Sequence, residues 1–130
     1  MRRFFNNVHD DRGAVAAEFA LVLPMLVLLV FGIVQFGLTF QRQEAVHAAA
    51  REGARIASLP STSPAEACAR SSAALTGTGF TATPACAVVG DCSNSTGNVV
   101  VTITVANTLE IPFFPTQTFD LTGRGEFRCE

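Results

Sequence analysis

No cysteine occurs before residue 68, and no charge falls between residues 20 and 34. The chain has only two histidines, His9 and His47, and neither stands near a cysteine or carboxylate spaced to make a site. There is no CxxC pair and no Cys/His spacing of the zinc-binding kind, so no metal or cofactor is expected. A GxSxG turn is missing too, and no serine is set with a histidine as nucleophile and base. The chain therefore reads as non-enzymatic, with no small-molecule substrate. Basic residues form no run, acids are interspersed among Arg51, Arg55, Arg70, Arg124 and Arg128, and the net charge is −2, which excludes a nucleic-acid surface.

What is present is a long apolar segment carrying one acid. Residues 14–40 are apolar apart from Glu18, Gln35 and Thr39, longer than the ~20 residues that cross a bilayer. An acid just inside such a segment costs roughly a few kcal/mol unless it is paired, so Glu18 marks a function. Arg2, Arg3 and Arg12 precede the segment and Arg42 stands alone just after it, a bias that keeps the N-terminus cytoplasmic and exports the C-terminus. All four cysteines, Cys68, Cys86, Cys92 and Cys129, lie on the exported side and suggest two disulfides, with three possible pairings.

The organisation expected is a cytoplasmic leader over residues 1–13, a long helix over 14–58 whose membrane-spanning part is about 17–40, and a small exported α+β domain over 59–130. Beyond the leader only about 70 residues remain outside the long helix, too few for a large core without staples. Pro24 should kink the helix near residues 20–24. A 14–58 helix would be about 68 Å long, twice the hydrocarbon thickness, so its second half must stand outside the membrane. There Glu44, His47, Arg51 and Arg55 make a polar stripe, read as a solvated or domain-packing face, and both histidines read as surface residues. Ala49, Gly53 and Ala57 make a stripe of small residues that lets another backbone approach closely.

Leu59-Pro60-Ser61-Thr62-Ser63-Pro64 breaks the helix. A short second helix over 64–74 follows, with Ser63 as cap and Glu66 at its third position. Residues 77–97 read as loops with a strand around 80–83. Residues 98–106 alternate Val99, Val101, Ile103 and Val105 against Val100, Thr102 and Thr104, the strongest strand signal. Pro112 and Pro115 limit pairing, and 119–121 with 123–129 return as a final strand. The fold class is thus α+β: a long N-terminal helix packed on a small disulfide-stapled antiparallel sheet. Phe31, Phe36 and Phe40 read as packing or interfacial anchors. Phe113, Phe114 and Phe119 are assigned to the small core, with an exposed Phe113-Phe114 contact patch as the other reading.

The run Arg12-Gly13-Ala14-Val15-Ala16-Ala17-Glu18-Phe19-Ala20-Leu21-Val22-Leu23-Pro24 resembles the TadE-like family of pseudopilins of the Flp/Tad pilus system. Phe31-Gly32-Ile33-Val34-Gln35-Phe36-Gly37 and Ala49-Ala50-Arg51-Glu52-Gly53-Ala54-Arg55 extend the likeness. The resemblance implies a prepilin peptidase site at Gly13, Ala14, Glu18 and Phe19, cut after Gly13. The new amine at Ala14 would then pair with Glu18 of a neighbouring subunit. It implies as partners the membrane, the peptidase, other pilin or pseudopilin subunits and the Tad assembly platform. The expected location is the bacterial cell membrane, with extraction into a surface pilus and roles in adhesion or secretion. Chain length and Phe19, where the major pilins commonly have Tyr, favour a minor subunit. Family members often carry an acid where Gln35 stands. Two other readings compete: a single-pass anchored binding module, and a domain released by cleavage near Ala48-Ala49-Ala50.

Overall fold

The computed structural model describes residues 10–93, 96–112 and 114–130, with side chains from residue 13 onward. Its elements are α1 (Asp10–Ala57), α2 (Pro64–Ala74), β1 (Ala85–Val89), β2 (Asn98–Leu109) and β3 (Gln117–Arg128). The three strands form one antiparallel sheet in the order β1-β2-β3. The long helix and α2 pack on it, and two disulfides fasten the assembly. This is the expected α+β architecture.

At 48 residues, α1 extends for about 72 Å. It starts at Asp10, ahead of the expected residue 14, so the Gly13–Ala14 peptide lies inside the helix. The helix also continues through Pro24. It stops where Ser58 Oγ donates to the Arg55 carbonyl at 2.8 Å and Pro60 ends the repeat. Ser63 then caps α2, its Oγ accepting from the Glu66 N–H at 3.2 Å, with Pro64 at the first helical position as expected.

The sheet face beneath α1 is set by strict alternation. Val99, Val101, Ile103, Val105 and Asn107 of β2 are buried, with half-buried residues between them from 100 to 106. On β3 the residues opposite are Phe127, Gly125, Gly123, Leu121 and Phe119. The glycines stand where the helix crosses. A Cβ at Gly123 would run into the Val46 carbonyl, and one at Gly125 into the Ala50 carbonyl. Gly53 makes the equivalent gap toward α2, where a Cβ would strike the Ser71 side chain. The stripe Ala49, Gly53 and Ala57 is accordingly buried within its own chain.

Two sequence expectations are corrected. The first strand is Ala85–Val89, whereas residues 80–83 are irregular. Phe80 turns toward the core and the Arg42 guanidinium, and Pro84 separates it from the strand. Phe114 and Phe119 do not fill the core: they are 61% and 38% exposed. Phe114 sits at the β2–β3 hairpin tip beyond the sheet, and Phe119 near the strand end beyond the helix crossing. Valines, Ile103 and alanines occupy the interior instead. Phe113, His9 and residues 1–9 of the expected leader lie outside the described residues.

The disulfides join Cys68 to Cys86 and Cys92 to Cys129. The first ties α2 to β1. The second ties the 90–97 connection to the C-terminus, where the Cys129 N–H also donates to the Gly97 carbonyl at 3.0 Å.

Candidate functional site

Ala14 and Glu18 are four residues apart on α1, one helical turn and about 6 Å along the axis, and so share a face. Both are exposed, as are Gly13 and Phe19. A Cβ built on Gly13 meets nothing within 4 Å. Among the described residues no side chain bonds to Glu18. From residue 13 to 40 no position is buried, and Gly32, Gln35 and Thr39 alone are half-buried. The four candidate residues thus lie together at one end of a helix half that the chain itself leaves bare, and which is long and apolar enough to cross a membrane.

At the far end of this half the helix meets the folded domain through polar contacts. Gln35 Nε2 donates to the Glu110 carbonyl at 2.7 Å. Arg42 Nη1 donates to Asn107 Oδ1 at 2.7 Å, and its guanidinium stands 5.9 Å from the centre of the Phe80 ring. Asn107 is buried, and its Nδ2 has no partner among the described residues. These groups border an open cavity of about 250 Å³ lined by Gln35, Arg42, Phe80, Asn107 and Glu110 among others. These contacts make the cavity a polar joint between helix and sheet. Among the described residues no group of three or more His, Cys, Asp or Glu could hold a metal ion.

Further along α1, Gln43 Nε2 donates to the Thr122 carbonyl at 3.0 Å and lies 2.9 Å from His47 Nε2. His47 is therefore half-buried against the sheet edge, not free on the surface. Arg51 and Arg55 are exposed, and the Arg55–Glu52 pair at 3.7 Å is solvated and contributes little.

Sequence reasoning found Gly13, Ala14, Glu18 and Phe19 but missed Gln35, Arg42 and Asn107. Gln35 registered only as the place of a missing acid. The structure gives the amide a reason: a carbonyl needs a donor, which a carboxylate lacks. Arg42 was counted for topology alone. One signal for Asn107 was available, since it continues the buried parity of Val99 to Val105.

Fold and site together define an α+β protein whose long helix leaves an apolar, membrane-length half outside the core. Residues 13–55, a third of the chain, match the family of TadE-like proteins. No curated protein and no solved structure matches the chain. Over these residues the long helix is similar to that of TadE-like proteins.

Proposed function

We propose that the chain is a minor pilin-like subunit of a Tad/Flp-type pilus or secretion apparatus, cut after Gly13 by a prepilin peptidase. In this reading residues 1–13 are the leader, 17–40 span the membrane, and 59–130 form the exported domain. The observation that carries it is the pairing of an exposed Ala14 and Glu18, one turn apart, on a helix half of which no residue is buried in its own chain. Cleavage after Gly13 converts the Ala14 nitrogen into an ammonium. Lipid penalises that ammonium and the Glu18 carboxylate separately, and pairing the two between subunits relieves both costs at once.

Because α1 is helical across the scissile peptide, the peptidase must unwind the first turns, and Gly13 is the residue there with the least helix propensity. The product keeps its apolar helix, unlike the product of ordinary signal cleavage. Release by a cut near Ala48-Ala49-Ala50 fits poorly, because Ala49 and Ala50 are buried in the core.

The test is Glu18→Ala in cells producing the pilus. The altered protein should still be processed but be absent from sheared surface filaments and lose its crosslinks to neighbouring subunits. Normal incorporation of the altered protein would overturn the Glu18 pairing, and absence of the unaltered protein from the filaments would instead favour an anchored binding module that never assembles.

A further inference from the structure

We propose that the tip of the β2–β3 hairpin, residues 111–112 and 114–116, is seated in the outer interface of the lipid bilayer, held at that depth by the hydrogen bond from Gln35 to the Glu110 carbonyl at its base. The inference rests on the reading of α1 as membrane-spanning and adds a second membrane contact made by the folded domain.

The depth follows from helix geometry. A hydrocarbon layer of ~30 Å takes about 20 helical residues. Counted from Ala14 the outer boundary falls near residue 34, and counted from Glu18 near residue 38. Gln35 lies in that interval, and its side chain fixes the hairpin backbone there at 2.7 Å. Phe31, one turn deeper, lines an open cleft of about 570 Å³ together with Ile111, Pro112 and Phe114. The tip is thus held level with the last turns of the apolar segment.

Its chemistry suits that depth. Residues 111–116 carry no charge, Phe114 is exposed, and Ile111 and Pro112 are half-exposed. Pro112 and Pro115 have no N–H to leave unpaired, and the Phe114 N–H donates to the Ile111 carbonyl at 3.1 Å. A loop entering lipid loses hydrogen bonds to water, and residues 112, 114 and 115 present no free N–H to it. In water the cleft would leave Phe31, Ile111, Pro112 and Phe114 wet beside its polar rim of Gln35, Glu110 and Thr116, a rim that suits the headgroup side of the interface. Lipid fills the cleft and covers these apolar side chains. Arg42, about 10 Å farther out along the helix, then stands at headgroup level.

The chain has neither tryptophan nor tyrosine, so a single introduced tryptophan reports its own surroundings. Phe114→Trp, Leu28→Trp in the apolar segment and Phe127→Trp at the opposite end of β3 are compared as full chains. Each is reconstituted in phosphatidylcholine–phosphatidylglycerol vesicles with acyl chains brominated near the headgroup, after disulfide formation is verified. The expected result is a roughly two-fold loss of Phe114→Trp emission, with quenching at Leu28→Trp and none at Phe127→Trp. Adding Gln35→Ala should weaken the Phe114→Trp quenching. If Phe114→Trp resists quenching while Leu28→Trp is quenched, the membrane span stands and the hairpin proposal falls. An unquenched Leu28→Trp removes the span, and the proposal with it. A blue-shifted but unquenched Phe114→Trp would put a second protein chain on the tip and equally overturn it.

Discussion

The two halves of α1 share one backbone and differ in almost everything else. Residues 13–40 carry large apolar side chains on all sides, and none is buried. From residue 42 to 57 the inward positions are Val46, Ala49, Ala50, Gly53, Ala54 and Ala57, all buried against the sheet and α2. Both halves hold glycines, with opposite surroundings. Gly32 and Gly37 have nothing within 4 Å of a built Cβ, whereas Gly53 is closed by Ser71. A stripe of small residues thus announces a close approach without saying to what. In the second half the partner is in the same chain, recognisable by the answering gaps at Gly123 and Gly125. The first half has no such complement among the described residues, and the proposed reading gives its apolar surface to lipid and other subunits.

The sharpest way to separate the halves is to loosen the domain while leaving the bare helix alone. Replacing Cys92 and Cys129 together by Ser opens the larger loop, with a sequence separation of 37, and should cost about 4 kcal/mol. The pair Cys68 and Cys86, with a separation of 18, should cost about 3 kcal/mol. Thermal melts of the sheet signal check both, and the helical signal of residues 13–40 in detergent should survive either change.

Glycine substitutions come next. Gly125→Val drives a branched side chain into the Ala50 carbonyl and should destabilise the domain by about 3 kcal/mol. Gly37→Val, with open space around it, should leave the domain melt unchanged; an equal loss at both positions would erase the contrast. At the junction, Arg42→Ala removes the hydrogen-bond donor to Asn107 Oδ1 and leaves that buried amide with neither end paired. About 2 kcal/mol should be lost, readable as a lower denaturant midpoint with unchanged slope.

The smallest effect concerns acid. Asp91 accepts from the Ser93 N–H and from Ser93 Oγ, each at 2.9 Å, and these bonds, the backbone one first, hold its carboxyl below the ordinary 3.8. A carboxyl with a lowered folded value adds stability above its unfolded value, and that stability is lost as pH falls through the folded value. Asp91→Asn should therefore weaken the domain slightly at neutral pH and flatten its loss of stability below about pH 3.8.

How much was legible in the sequence differs between the same two regions. Local signals read well: Ser63, Pro64 and Glu66 announced the start of α2, and the alternation from Val99 to Val105 announced β2 with its buried face. The resemblance around Gly13 and Glu18 located the candidate site, because its residues are close in sequence. Long-range relations did not read. The cysteine pairing needed the fold. β1 was misplaced because Phe80 mimics a strand residue while Ala85-Cys86-Ala87 carries weak strand preference and gains its place from β2 and the Cys68 bond. The roles of Gln35, Arg42 and Asn107 depend on contacts spanning 65 to 75 residues, which no local pattern encodes. Gly123 and Gly125, alternating within a strand, and the parity of Asn107 with Val99 to Val105 are the long-range features with a readable local mark.

The central claim is that the bare half of α1 becomes an assembly helix once a leader is removed. The most direct measurement is the N-terminus of the membrane-associated protein, determined by intact mass and terminal peptides with and without the prepilin peptidase. A protein beginning at Ala14 only when the peptidase is present is the expected result. A chain that retains the residues before Gly13 in both strains would contradict the claim.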